Sequence, residues 1–460
     1  MDILAVMKHT VTKGPFATYR LHKKRQEEKA KKERERLRKL EAERKARLSE
    51  EENVRLMSEF DGRIKEKYGD EEISKSVYEK ELKAFWIKEV YPKIYNEEAQ
   101  KPVEHKVVFM ERGNGISASL KYMLNYMKKN TDYEIKKFSL MGNTVEPEVY
   151  YKRAKDYIRE IATAKAIFIC TANDLTGYFK IRPETTYIQL WHGCGVFKKV
   201  GLSTIDKAFG KSAESHKEYP INTNYSYVTI ASPELSWIFE ESMGIDKDAG
   251  IIVPTGVSRS DEFFDPQFIE NSYKKLYEKI PQAEGKKVIL YAPTFRGEVA
   301  TCTSPDVLDV KAFAEAFSDE YILIFKHHQS VKNVPPIPEE YENTFAFDMT
   351  RGKGMNINEL MTVSDICISD YSSLVFEYSL FERPMIFFAY DLEDYIDVRG
   401  LYYDFDEITP GPIFRTNEEI IDYIRHIDER FNKQEVIDFK NRFMNCCDGH
   451  ASERIAALIK

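Results

Sequence analysis

Apolar residues in this chain gather into short continuous runs separated by stretches in which they recur at helical spacing. "KVVFM", "AIFIC", "YIQLW", "YVTIA" and "GIIVP" are such runs within residues 106–254, and "KVILYA", "YILIF", "DICIS" and "MIFFAY" follow within residues 287–390. A strand buried on both faces reads as a continuous apolar run rather than as an alternation, and parallel neighbours need a helix between them. The intervening segments supply those helices: "SLKYMLNYMKKN", "EVYYKRAKDYIREIATAK", "PELSWIFEESMG", "DVKAFAEAFS", "NINELMTVS" and "LVFEYSLFERP". The pattern runs once, restarts at "KKVILYAPTFRG" and runs again. It predicts an α/β protein with two Rossmann-like domains of roughly 150 residues each, facing across a cleft. The expected boundaries are 101–270 and 271–440, with a hinge in residues 258–285 and a C-terminal helix in 441–460.

Residues 1–100 have a different texture. "HKKRQEEKAKKERERLRKLEAERKARLSEEENVRLMSEF" lacks Gly and Pro and is rich in helix formers. Its apolar residues, Leu37, Leu40, Leu48, Val54, Leu56 and Met57, are too irregular for a heptad. Residues 19–49 carry fourteen Lys/Arg against six Glu, a net +8. Two readings stay open: a solvated helix laced by Glu–Lys and Glu–Arg neighbours, or a basic arm that meets anionic lipid or a partner. "SVYEKELKAFWIKEVYPKIYNEEAQK" has helical spacing with aromatics and should pack on the body.

The arm's charge sits in a chain of 460 residues with a net charge of −8, so the remainder is near −16, which argues against a nucleic-acid partner. Six cysteines form neither a CxxC pair nor a zinc pattern, which suggests a reducing compartment without disulfides. No apolar run approaches the ~18 residues of a membrane span. "MDILAVMKHT" is too short, with too polar a sequel, for a signal peptide. The expected location is cytoplasmic, peripheral on the inner face of the cell membrane.

Ligands of open parallel sheets bind beyond the carboxyl ends of the strands, where this chain repeatedly places polar residues. His192 ends "YIQLW", Arg296 follows "VILYAPTF", Lys326, His327 and His328 follow "YILIF", and Asp370, Tyr371, Ser372 and Ser373 follow "DICIS". One strand-end histidine is more often a structural residue; coincidences at four strand ends define a shared cleft. "SDYSS" opens a predicted helix, so it suits an anion as well as simple N-capping by Ser372 or Ser373. With Arg296, Lys326 and His328 the set suits a diphosphate. There is no GxxxxGK[ST], and "RGNGIS" is not a GxGxxG. Asp348 and Glu359 make no convincing metal constellation.

These segments, "YIQLWHG", "YAPTFRG", "FKHH", "PTGVSRSDEFF", "ISDYSSLVFEYSLFERPMIFFAYDLEDYIDVRGLYYDFDEITPGPI" and "DGHASERI", resemble the CDP-glycerol glycerophosphotransferases of teichoic-acid and capsule synthesis. Residues 370–412 are the most specific part, and the likeness spans roughly 107–460, leaving the arm aside. The resemblance implies a GT-B fold whose first domain handles the acceptor and whose second holds the CDP-alditol. Two departures stand out. His328–Gln329 replaces the family's histidine–proline, with His327 an additional ring beside it, and Cys194–Gly195–Val196 followed by Phe197–Lys198–Lys199 replaces a Thr-Pro-like segment.

On that reading a hydroxyl of a lipid-linked or oligomeric acceptor attacks the β-phosphorus of CDP-glycerol and CMP leaves. His192 is the general base. His328, Arg296, Lys326, Ser372 and Ser373 stabilise phosphate charge, with His327 beside them. Asp370 orients a histidine or serine, or is a turn carboxylate. Asp391 and Asp394 bind ribose or acceptor hydroxyls, or cap a loop; Arg399 reaches a phosphate or anchors its loop. No cofactor or metal is required. The rivals are a CDP-ribitol ribitolphosphotransferase, a nucleotide-sugar glycosyltransferase, a sugar-nucleotide epimerase and a non-catalytic scaffold.

Overall fold

The computed structural model describes residues 15–142, 144–205, 207, 210–297, 301–350, 352 and 354–460; "MDILAVMKHT" lies outside them. The chain divides into two compact units, Met1–Phe85 and Trp86–Lys460.

In the first unit a 54-residue helix, Pro15–Tyr68, is followed by the helix Lys75–Ala84. The second starts at Ser74, whose Oγ accepts from the Val77 N–H at 3.3 Å. The two meet where the Phe60 ring stands edge-on to Tyr78 and where Lys67 and Tyr68 both donate to the Glu81 carboxylate, at 2.6 and 2.9 Å. Farther up, Leu37, Leu40 and Leu48 are exposed. The pairs Arg36–Glu33, Lys39–Glu43, Lys45–Glu41 and Arg47–Glu51 lie three or four residues apart, at 3.5–4.0 Å. Each such pair stabilises a helix by only ~0.2–0.5 kcal/mol. Length and propensity therefore carry this segment.

The second unit holds two six-stranded sheets, all parallel. Strands β1 (Lys106–Glu111), β2 (Glu134–Ser139), β3 (Ala166–Ile169), β4 (Thr186–Gln189), β5 (Tyr227–Thr229) and β6 (Ile252–Val253) form the first, in the order β2-β1-β3-β4-β5-β6. Strands β7 (Lys287–Tyr291), β8 (Tyr321–Phe325), β9 (Ala346–Asp348), β10 (Ile366–Ser369), β11 (Met385–Phe388) and β12 (Ile413–Phe414) form the second, in the order β12-β11-β10-β7-β8-β9. The central strands are buried throughout, as continuous apolar runs require. The second sheet reverses its order between β7 and β10, which opens a crevice at their carboxyl ends. The two-Rossmann, GT-B expectation holds.

Two edge strands were not anticipated. β9 and β12 have three and two residues, too short to show a period. The segment "LVFEYSLFERP" is helical only over Leu374–Tyr378, then tightens into a 3-10 turn, Ser379–Phe381. Glu382 ends it in a left-handed conformation, and Pro384 cannot extend a helix. At the chain's end the helix Ala451–Ala456 returns to the first sheet, where Ala451 and Ile455 join Val107, Phe109, Phe168 and Ile188 in one core. Asp261 caps that helix, accepting from the N–H groups of Ala451 and Ser452 at 3.0 and 2.7 Å.

Candidate active site

His192 follows β4 on a turn under strain. Trp191 takes a φ of 59°, a left-handed conformation costly for a bulky residue. Three contacts hold the turn. The Gln189 side-chain oxygen accepts the Trp191 N–H at 3.0 Å, Arg259 donates to the His192 carbonyl at 2.6 Å, and the Trp191 ring packs 4.3 Å from the imidazole. His192 Nδ1 lies 3.3 Å from the Cys170 carbonyl at the end of β3. A carbonyl only accepts, so Nδ1 carries the proton and Nε2 of the neutral ring keeps its lone pair. His192 is exposed, and the Trp191 ring and the Cys170 carbonyl packed against its imidazole desolvate part of it. That desolvation lowers its pKa below the usual 6.5; the Cys170 carbonyl opposes this, and Arg259 reinforces it. A pKa below 6.5 leaves the ring mostly neutral at pH 7.

The ring at His328, after β8, has the complementary tautomer. Its Nδ1 accepts the Ser330 N–H at 3.2 Å, so the neutral ring presents Nε2–H as a donor. Burial, then the Lys198 ammonium, lower its pKa. His327 points elsewhere: it is buried, hydrogen-bonded through Nδ1 to Ser304 Oγ at 2.5 Å, with its ring near Phe325. Of the two adjacent histidines, the structure gives the half-buried position to His328.

Arg296 sits at the end of the β7 exit, but its guanidinium is engaged. Nε and Nη2 donate to the two Asp391 oxygens at 2.6 and 2.9 Å, Nη2 is 3.0 Å from Asp370, and Nη1 donates to the Thr294 carbonyl. Tyr371, Tyr390 and Tyr395 surround it at 5.1–5.6 Å. Asp370 also accepts from Thr294 and from the Tyr371 N–H, and Tyr371 donates to Asp391 at 2.9 Å. Arg296, Asp370, Tyr371 and Asp391 therefore form a closed clamp that ties the exits of β7, β10 and β11 together; phosphate binding by Arg296 needs one of these pairs to open. Lys326 is likewise turned inward, donating to the carbonyls of Met349 and Met355, and its pKa is lowered chiefly by burial. Arg399 donates to the Gly297 carbonyl at 3.0 Å and lies over Phe295. Asp394 is exposed in the first turn of the helix Leu392–Arg399. Ser372 Oγ accepts the Leu374 N–H at 3.4 Å, whereas Ser373, the cap residue, makes no side-chain cap bond. The helix behind them has only five residues, so an anion bound there would meet these hydroxyls and N–H groups rather than a helix dipole.

The loop after His192 meets this second set. A side chain on Gly193 would touch Ser373 Oγ, and one on Gly195 would collide with the Phe376 ring, so glycine is what lets the loop lie against the helix Leu374–Tyr378. Beyond it, residues 197–200 pair with residues 400–402. Lys198 bridges Leu401, Lys199 N–H donates to the Gly400 carbonyl at 3.1 Å, and Tyr402 N–H donates to Phe197 at 2.9 Å. This pairing places the Lys198 ammonium among Asp370, Arg399, Arg296 and His328. Desolvation, reinforced by the two arginines and opposed by Asp370, brings its pKa down to about 8. Lys198, beside His328, and Arg259, on the His192 carbonyl, are two residues that sequence reasoning left without a role. The "KK" after "WHGCGVF" was the available signal for Lys198; nothing in the sequence joins Arg259 to His192.

The chain belongs to the CDP-glycerol:poly(glycerophosphate) glycerophosphotransferase family, whose sequence profile matches residues 94–460. It is 35% identical over 335 residues to a teichoic acid poly(ribitol-phosphate) polymerase of Bacillus spizizenii strain W23, a match covering 72% of this chain and 52% of that protein. It is also 35% identical over 282 residues to a teichoic acid ribitol-phosphate primase of that strain, covering 60% of this chain and 70% of the primase. The chain thus spans about half the length of the polymerase it matches. Among solved structures, the wall teichoic acid polymerase TagF superposes with a TM-score of 0.66 at 23% identity, over 89% of this chain and 97% of that one. The fold is shared with TagF.

Proposed function

We propose that this protein transfers an alditol phosphate from a CDP-alditol to a hydroxyl of a lipid-linked or oligomeric acceptor, releasing CMP, in the synthesis of a teichoic-acid-like polymer. The observation that carries the reading is that the loop after His192 packs on the helix opened by Ser372 and Ser373, and that Lys198, farther along the same stretch, lies beside His328. His192 presents a basic Nε2 from the first sheet, and His328 presents Nε2–H from the second. In the proposed reaction the acceptor hydroxyl gives its proton to His192 Nε2 as its oxygen attacks the β-phosphorus. The bond from that phosphorus to the bridging oxygen breaks, and CMP departs with the electron pair. His328, Lys198, Ser372 and Ser373 hold the charge that accumulates on the phosphate oxygens, so the proposal needs no bound metal.

CDP-glycerol is the donor that the family description supports. CDP-ribitol is the second reading, favoured by the ribitol-phosphate polymerase and primase among the relatives. Incubating the purified chain with CDP-glycerol, CDP-ribitol or a UDP-sugar, plus a synthetic lipid-linked acceptor, separates the readings by CMP release and product mass. Release of UDP from the sugar donor and no CMP from either alditol would replace a phosphotransferase with a glycosyltransferase. No described helix is long and apolar enough to cross a membrane. We propose that the basic arm holds the enzyme at an anionic membrane surface on the cytoplasmic side, where a lipid-linked acceptor is met.

A further inference from the structure

Arg259 belongs to the 3-10 segment Ser258–Phe264, in the stretch that leads from the first sheet to the second. Its guanidinium makes contacts on both sides. Nη1 donates to the carbonyl of His192 at 2.6 Å, an oxygen that also accepts from Ser119 Oγ at 3.5 Å. Nη2 donates to Asn358 Oδ1 at 2.9 Å, on the helix Ile357–Val363 between β9 and β10 of the second sheet. Nε lies 3.5 Å from Glu377 Oε1, on the helix that Ser372 and Ser373 open. Glu377 is itself buried, with Oε2 lacking any hydrogen-bond partner, and the backbone and thiol of Cys194 lie beside its carboxylate. Burying a carboxylate and a guanidinium together costs solvation that an ion pair at this distance only partly offsets. A purely structural joint between two sheets would be served as well by apolar side chains. What apolar side chains cannot do is grip a carbonyl in the strained Trp191–His192 turn and set a fixed positive charge beside the imidazole.

We propose that Arg259 is the positioning residue of the base: it clamps the backbone of His192 to the donor-side helices Ile357–Val363 and Leu374–Tyr378, so that the placement of the ring depends on engagement of the two sheets. The guanidinium has a second consequence. The charged side chains that act on the ring are Arg259, which disfavours the imidazolium, and Glu111 at the end of β1, which favours it. Arg259 therefore helps to keep His192 in its basic form while fixing where that base points.

The inference builds on the transferase reading for its kinetics, and its first measurement does not need that reading. The neutral fraction of His192 is read as the rate at which diethyl pyrocarbonate modifies it, followed by mass spectrometry of the His192 peptide across pH 5–8 in the full chain. R259Q, which keeps a donor and removes the charge, should raise the midpoint by about half a pH unit or more. R259K keeps the charge without the fork, so its midpoint should stay near the wild-type value. Its kcat for CMP release should nonetheless fall by about tenfold, with KM for the CDP-alditol changed less than ~3-fold. A folded R259Q that titrates like wild type overturns the electrostatic part, and an R259K with wild-type kcat overturns the clamp. Should R259Q not fold, the kcat and KM of R259K decide alone. If the wild-type chain releases no CMP from either CDP-alditol, the transferase reading fails, while the modification midpoints still judge Arg259.

Discussion

His192 and His328 carry the same side chain and opposite tautomers because the groups behind their Nδ1 atoms differ: a carbonyl behind one, an N–H behind the other. In the proposed mechanism His192→Ala removes the base, so kcat should fall by ~10² or more with the melting temperature nearly unchanged, as checked by CMP release and thermal unfolding. The pH profile of kcat/KM should be bell-shaped. Its acid limb lies below 6.5, because desolvation lowers the His192 pKa and the ring must be neutral to act. Its alkaline limb lies near 8, because the Lys198 ammonium is lost as pH rises through about 8. K198R, which stays protonated, should move that limb to higher pH, and K198M should raise KM for the donor. The stability effect of Lys198 has the other sign. Its folded pKa is below the 10.5 of an ordinary lysine, so between the two the unfolded chain holds more protons, and this group's contribution to stability rises with pH. A K198R profile identical to that of wild type would remove Lys198 from the alkaline limb.

At the scale of elements, two contacts hold the site together. Gly195 lies against Phe376, where any side chain would collide. G195A should therefore cost about 1–3 kcal/mol, measured by denaturant unfolding, and should depress CMP release, because the loop cannot move off the helix without taking His192 with it. The second contact is the cap of the C-terminal helix. Asp261 accepts two backbone N–H groups there, and the helix completes the core of the first sheet. D261A leaves those N–H groups without acceptors inside the protein and should destabilise it by about 1–3 kcal/mol, lowering its denaturation midpoint. The central strands of both sheets were legible as continuous apolar runs. The edge strands β9 and β12 were not, since two or three residues carry no periodicity. The helix "LVFEYSLFERP" was overestimated because its apolar spacing continues through Leu380 and Phe381, past the end of the α-helix at Tyr378.

The whole molecule joins a water-exposed arm to a two-sheet body, and the arm's role is testable by removal. A chain beginning at Trp86, where the second compact unit starts, should keep CMP release on a small soluble acceptor. It should lose binding to anionic vesicles, and the binding of the full chain should weaken steeply between 50 and about 300 mM salt as the charges are screened. Equal vesicle binding by both chains would make the arm a spacer or a self-association helix. The sequence by itself determined the class of fold, the position of each major strand and the strand ends that gather polar residues, because burial on both faces imprints each central strand locally. It named the residues of the cleft but not their partners. Only the tertiary structure decided that Arg296 closes on Asp370 and Asp391, that Lys326 turns inward, that His328 and not His327 takes the half-buried position, that Lys198 lies beside His328, and that Arg259 holds the His192 carbonyl. Those outcomes depend on which carbonyls, carboxylates and amides lie within 3 Å of a side chain's end. Such neighbours come from positions tens to hundreds of residues away, and no local pattern encodes them.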